Sequence, residues 1–98
     1  MKITIHAVKF DADKKLEDFV EKKVQKLEKF YDEIIHAEVY MRVEKPQAVD
    51  NKIAEIKLEI PGNELFAKKQ AQTFEEAIEQ SVDALRKQLI KHKEKIRS

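Results

Sequence analysis

The sequence has no cysteine, only one glycine and only two prolines among its 98 residues. Without cysteine the chain cannot form a disulfide, a thiolate zinc site or a cysteine nucleophile. A single glycine cannot supply a glycine-rich phosphate loop or a dinucleotide-binding fingerprint. No apolar run reaches membrane length, and the N-terminus lacks the unbroken apolar segment of a signal peptide. We therefore expect a cytoplasmic protein with no membrane partner.

Charged and apolar residues make up most of the chain, at 40% and 42% respectively. With so few glycines and prolines, this composition predicts regular helices and strands, and the length fits one domain spanning residues 1–98. The formal net charge of +1 conceals an uneven distribution. Residues 86–98 hold six basic residues and one acidic residue, a charge of +5, whereas the other 85 residues hold 14 basic and 18 acidic, a charge of −4. Such local clustering favours binding to a polyanion.

Four strands are predicted from hydrophobic periodicity. Apolar and polar residues alternate over residues 2–8, 37–43 and 54–60, as in half-buried strands. Residues 65–71 form a weaker fourth strand, whose lysines suit an exposed sheet edge. The Lys45-Pro46 step is expected to end the second strand, and Pro61-Gly62-Asn63 to form the turn before the fourth.

Two segments have the apolar spacing of amphipathic helices. The first runs from Lys14 to Phe30 with Asp13 as its N-cap, and the second starts at a capping box, Thr73 to Glu76, and continues to about Lys95. The order is therefore β-α-β-β-β-α. It predicts an α+β fold with a four-stranded mixed sheet, in which strands one and two are parallel and both helices cover one face.

No set of residues in the sequence suggests catalysis, so we expect a non-enzymatic protein with no cofactor, metal or small-molecule substrate. Three histidines lie on different elements without the spacing of a metal site, and are predicted to be solvated or hydrogen-bonded: His6, His36 and His92. Four phenylalanines are predicted to lie in the core or at its edge: Phe10, Phe19, Phe30 and Phe74. Tyr40 and Phe66 are predicted to face outward from the sheet.

Basic residues on the two helices are the candidate binding residues. Lys22, Lys23 and Lys26 form part of a ridge on the first helix. The second helix carries Arg86, Lys87, Lys91, Lys93 and Lys95 around and beyond its last core positions. Side by side, the helices would frame a positive groove that contacts the phosphates of structured RNA by shape and charge. A solvated helical face, or basic residues favoured near a helix C-terminus, would give the same pattern.

Two stretches of the chain resemble the helix ends of the ribosome hibernation promoting factor and ribosome-associated inhibitor family: Lys26-Leu27-Glu28-Lys29-Phe30-Tyr31-Asp32 and the segment from Gln88 to Ile96. Ile3-Thr4-Ile5, Phe19-Val20 and Phe74-Glu75-Glu76-Ala77-Ile78 lie at the corresponding places, and the resemblance covers essentially the whole chain. It implies a fold similar to a double-stranded-RNA-binding domain. It also implies a translation inhibitor that binds the small ribosomal subunit and its rRNA, occupies the decoding region and blocks mRNA and tRNA during hibernation in stress or stationary phase.

The resemblance also assigns RNA-binding positions. Lys23 and Lys26 match basic places on the first helix, to which the ridge adds Lys22. On the second helix the matching residues are Arg86 or Lys87, Lys91, His92, Lys93 and Lys95, with Gln88 as a polar neighbour. We further expect a short form of the family, without a dimerisation domain and monomeric in solution.

Two other functions remain open from the residues alone. The first is a general double-stranded-RNA-binding module, which would bind any duplex with comparable affinity. The second is a protein-interaction domain that adds a partner strand at the edge formed by residues 65–71, with binding insensitive to salt.

Overall fold

A computed structural model of the protein describes residues 1–45 and 47–97, the last of these by its backbone alone. The elements in chain order are β1 (Lys2–Ala7), α1 (Lys14–Gln25), a 3₁₀ helix (Lys26–Lys29), β2 (His36–Val43), β3 (Lys52–Ile60), β4 (Asn63–Ala71) and α2 (Phe74–Arg97). The predicted β-α-β-β-β-α order is thus confirmed. The role predicted for Pro46 in ending β2 lies outside the described residues.

The strands form one mixed sheet in the order β1-β2-β3-β4. β1 runs parallel to β2, with Ile3 opposite Ala37, because a helix connects the two strands. β2 and β3, and then β3 and β4, pair antiparallel. Gly62 in the β3–β4 turn has a φ of 74°, a left-handed conformation that suits glycine. Because β4 stands last in the strand order, it is an edge strand, as predicted.

Alternation along the strands places the core on one face of the sheet. β2 buries Ala37, Val39 and Met41, while the residues between them are partly exposed. The buried strand residues join one apolar cluster with residues of both helices, which include Val20, Val24, Leu27, Ile78, Leu85 and Leu89. Both helices therefore pack on the same face, and the other face of the sheet is left open.

The two helices begin as predicted but end differently. The Asp13 carboxylate accepts a hydrogen bond from the Leu16 N–H at 2.8 Å, and Thr73 Oγ1 accepts one from the Glu76 N–H at 3.1 Å. The prediction of an unbroken α-helix to Phe30 is wrong for the last turn. There the chain tightens into the 3₁₀ helix, and the Phe30 N–H donates to the Leu27 carbonyl at 3.0 Å.

α2 extends past the core. Its last fully buried residue is Leu89, and among the described side chains beyond it only His92 is partly buried. The basic end of α2 therefore projects from the body, as predicted. No described helix has the length and apolar character needed to cross a membrane.

Candidate nucleic-acid interface

α2 separates two surface grooves. The first, called here the helix groove, lies between α2 and the α1–3₁₀ segment and is lined by Lys23, Lys26, Phe30, Glu79, Asp83 and Arg86, and further along by Lys29, Ile90, Lys93 and Glu94. The second, the edge groove, lies between α2 and β4. Its lining residues include Lys69, Asp83 and Lys87, and then Asn63, Leu65, Gln88, Lys91, His92 and Lys95.

Carboxylates lie among the cations of the helix groove. Lys23 Nζ lies 3.5 Å from Glu79 Oε1, and Arg86 Nη2 lies 2.6 Å from Asp83 Oδ1. Five basic and three acidic described side chains line it, and Glu28 and Asp32 of the adjoining segment add two more carboxylates nearby. The groove predicted between the helices therefore exists, and carboxylates offset part of its positive charge.

Asp83 lies on α2 where the two grooves meet, since it lines both. Its carboxylate accepts hydrogen bonds from Arg86, and Lys87 Nζ lies 3.3 Å from its Oδ2. The hydrogen bond from Arg86, followed by that from Lys87, lowers the pKa of the Asp83 carboxyl below its usual value. Asp83 is thus ionised at neutral pH and offsets part of the charge of two predicted RNA-binding residues.

Phe30 lies at the centre of the helix groove, where the Arg86 guanidinium sits 5.8 Å from its ring centroid. Similarly, Lys23 Nζ lies 5.5 Å from the centroid of the Phe19 ring. Both rings are partly buried against the core, and Phe10 stacks on Phe74 with ring centroids 4.8 Å apart. The prediction that these four aromatic residues lie at the core edge is confirmed, and cation–π contacts help to position the neighbouring cations.

The edge groove is more strongly basic. Lys87, Lys91 and Lys95 follow one another at intervals of four residues on α2 and therefore lie along one side of the helix. Lys69 of β4 lines the same groove from the opposite wall. Among the described residues, one acidic side chain, Asp83, lines this groove together with the four basic ones.

Sequence reasoning assigned Lys69 only to a charged sheet edge and missed its place in this groove. The alternation of β4 contains the signal. Leu65, Ala67 and Ala71 turn toward the helices, so Lys69 lies on that same side, whereas Lys68 lies on the other.

Gln88 and His92, both predicted as RNA-binding residues, make internal contacts. Gln88 Nε2 donates a hydrogen bond to the backbone carbonyl of Phe66 at 2.9 Å, which fastens α2 to the edge strand. The His92 ring packs edge-on against Tyr31, with centroids 5.5 Å apart, and its Nε2 is buried without a hydrogen-bond partner in the described part of the chain. These two side chains thus hold the projecting helix in place.

The other predicted site residues divide between the two sides of α2. Lys23, Lys26, Arg86 and Lys93 line the helix groove, and Lys87, Lys91 and Lys95 line the edge groove. Lys22 is exposed on α1 and lines neither groove. The basic surface is therefore wrapped around α2 and is not concentrated between the helices.

The open face of the sheet differs from the helix face in charge. The strand register places four basic and four acidic side chains on it: Lys2, Arg42, Lys57, Lys68, Glu38, Glu55, Glu59 and Glu64. Tyr40 faces outward here, as predicted, and stacks on His6 with centroids 4.5 Å apart. Excess positive charge thus lies on the α2 side of the molecule, and a polyanion is attracted there.

His6 and His36 meet at one carboxylate on the open face, which their sequence spacing did not suggest. Their ring nitrogens lie 3.8 and 3.9 Å from the two oxygens of Glu38. The hydrogen bond donated by the Tyr40 hydroxyl, and to a smaller extent these histidines, lower the pKa of Glu38. Among residues 1–45 and 47–97, no group of three or more histidine or acidic side chains is arranged to hold a metal ion.

Comparison with known proteins gives consistent matches over nearly the whole chain. Residues 3–97 match the family model described as sigma 54 modulation protein / S30EA ribosomal protein. A ribosome hibernation promoting factor from Azotobacter vinelandii is 38% identical over 95 residues, which cover 97% of this chain and 85% of that protein.

Two solved structures have the same fold. The N-terminal domain of Thermus thermophilus Protein Y matches with a TM-score of 0.81 and 25% identity, covering 94% of this chain and 99% of that one. A ribosomal subunit interface protein from Coxiella burnetii matches with a TM-score of 0.85, covering 95% of this chain and 98% of that one. At 22% identity, the second match shows the fold alone.

Proposed function

Because the chain belongs to the sigma 54 modulation protein / S30EA ribosomal protein family, we propose that it is a ribosome hibernation factor of the cytoplasm. It binds the small ribosomal subunit through its rRNA, occupies the decoding region and blocks the binding of mRNA and tRNA. The proposed action is binding and steric exclusion, without catalysis. The observation that carries the proposal is the row of exposed lysines at the end of α2, in a chain whose relative from Azotobacter vinelandii is called a ribosome hibernation promoting factor.

The fold can present these lysines rigidly. Leu85 and Leu89 are fully buried and anchor α2, while Lys91 and Lys93 stay exposed beyond the core. Cations on such a support can contact phosphates and release condensed counterions, which gives affinity without reading base sequence. The balanced open face of the sheet then points away from the RNA. The whole molecule measures 48 × 23 × 19 Å, and the part that does not contact RNA supplies the bulk that excludes other ligands.

The edge-strand hypothesis has less support. A partner strand would pair with the free backbone groups of β4, but the Phe66 carbonyl already accepts a hydrogen bond from Gln88. Lys68 and Lys69 also place charge on this strand, which discourages pairing. A general RNA-binding module remains the competing function, because phosphate contacts alone do not distinguish rRNA from any other duplex.

Sedimentation of the protein with purified ribosomal subunits tests the proposal. We expect co-migration with the small subunit at low salt, weaker association at high salt, and loss of association when tRNA occupies the site. A duplex RNA of unrelated sequence should compete poorly. Equal competition by that duplex would favour a general RNA-binding module, and salt-independent association or none would contradict the proposal.

Charge reversal at the end of α2 provides a matched test. In the triple variant Lys91→Glu, Lys93→Glu, Lys95→Glu, we expect ribosome association to be lost while the helical circular dichroism spectrum is retained, because all three side chains are exposed. The control variant Lys2→Glu, Lys9→Glu, Lys45→Glu makes the same charge change at exposed positions outside both grooves. An equal loss in both variants would show that net charge, not this surface, is responsible.

A further inference from the structure

We propose that the RNA-binding surface extends from α2 onto the edge strand β4, where Lys69 contacts a phosphate of an RNA strand that follows the edge groove. The inference rests on the proposed function and deepens it, because it adds a residue outside the helices and places one RNA strand along the edge groove.

Charge distinguishes the two grooves. Three acidic side chains lie among the five basic ones that line the helix groove, with Glu28 and Asp32 beside it, whereas Asp83 is the one acidic side chain among the described residues that line the edge groove with four basic ones. Within the described part of the chain, no ion pair involves Lys69 or Lys91. Their ammonium groups can therefore bind an anion without first breaking an internal contact.

The geometry of the groove suits a linear polyanion. Lys87, Lys91 and Lys95 repeat along α2 with a rise of about 6 Å for each four residues, similar to the spacing of successive phosphates on one strand. Lys69, on the β4 wall, lines the same part of the groove as Lys87 of α2, together with Gln80 and Ala84. An RNA backbone lying in the groove would thus meet cations on both walls.

Internal contacts fix the width of the groove. Gln88 Nε2 of α2 donates to the Phe66 carbonyl of β4, which links the two walls, and Leu65 of β4 is partly buried against the core. The two walls therefore keep their separation before any ligand arrives, so little conformational entropy is lost on binding. Folding also places Lys69 and Lys87 on the lining of the same groove, where Lys87 Nζ lies 3.3 Å from Asp83 Oδ2 and a phosphate would add a second anion for the two lysines.

Lys68 provides an unusually close control. It is the neighbour of Lys69 on the same strand and is also exposed, but it lies on the open face, opposite Glu55 in the register. Lys68→Gln and Lys69→Gln therefore remove the same charge from adjacent positions and differ mainly in the face affected.

The test is binding of both variants to purified small ribosomal subunits at several salt concentrations. For Lys69→Gln we expect weaker binding and a plot of log affinity against log salt that is shallower by about 0.7 to 0.9, the loss of one phosphate contact. Lys68→Gln should bind like the unmodified chain, and Lys69→Arg should retain the original slope.

Each outcome is informative. If Lys69→Gln binds with unchanged affinity and slope, or if both glutamine variants weaken binding equally, the inference is overturned while the proposed function stands. If the unmodified chain does not bind small subunits at all, the proposed function is overturned, and this inference with it.

Discussion

Asp83 limits the positive charge available on α2, so its replacement should strengthen binding to RNA. Its carboxylate holds Arg86 at 2.6 Å and Lys87 at 3.3 Å, on the part of the helix shared by both grooves. The variant Asp83→Asn keeps the size of the side chain but removes the negative charge with which these two cations are paired. Each cation released to a phosphate steepens the dependence of log affinity on log salt by about 0.7 to 0.9.

With both cations released, the slope should steepen by about 1.4 to 1.8. Between 50 and 200 mM salt, a fourfold change, the variant should therefore lose roughly tenfold more affinity than the unmodified chain, and at the lower salt it should bind more tightly. Equilibrium binding to purified small subunits across a salt series measures both quantities. The fold should tolerate the change, because both ion pairs are exposed at the helix surface.

The control for this prediction is Glu59→Gln, which removes one negative charge from an exposed position on the open face of the sheet. It should leave the slope unchanged. If Asp83→Asn binds no more tightly than the unmodified chain and shows the same slope, Arg86 and Lys87 do not contact phosphates. The basic surface of α2 would then not include the region around Asp83.

Two further predictions concern the fold and the open face. Leu85→Ala should lower the free energy of unfolding by about 2 to 5 kcal/mol in urea titrations, because the fully buried side chain leaves a cavity under α2; Ile96→Ala, at an exposed position, should have little effect, and similar values for the two would contradict the assigned core. Tyr40→Phe should raise the pKa of Glu38 from its depressed value toward the usual 4.5, as measured by carboxyl NMR titration, because it removes the hydrogen bond that stabilises the carboxylate. The stabilisation from this bond is present above pH 4.5 and is lost as the pH falls through the lower folded-state pKa; an unchanged Glu38 pKa in the variant would refute that cause.

The strands and helix starts could be predicted because their signals are local. In β2, apolar residues alternate with polar ones, and the apolar set Ala37, Val39 and Met41 specifies one buried face. The N-caps Asp13 and Thr73 accept hydrogen bonds from residues only three positions further along the chain. The end of α1 could not be predicted in the same way. Leu27 and Phe30 are spaced by three residues, which suits both an α-helix and a 3₁₀ helix, so apolar spacing does not reveal where one becomes the other.

The binding surface was predictable in its residues but not in its arrangement. Helical periodicity identifies exposed lysines such as Lys91, but the groove that each one lines depends on which neighbour packs beside α2. The pairing of Lys23 with Glu79 joins two helices that are distant in sequence, so no local sequence pattern predicts it. The contact of Gln88 is equally unpredictable, because its acceptor is the backbone carbonyl of Phe66 and does not depend on which side chains surround it.

The bond between Gln88 and the Phe66 carbonyl also bears on the colloidal behaviour of the protein. β4 is nine residues long and carries a half-exposed phenylalanine, features that in an unguarded strand promote stacking of chains into ordered aggregates. By occupying one carbonyl near the middle of that strand, a side chain from the helix interrupts the row of acceptors that a second chain would need. The same clamp that shapes the groove therefore disfavours self-assembly through this strand.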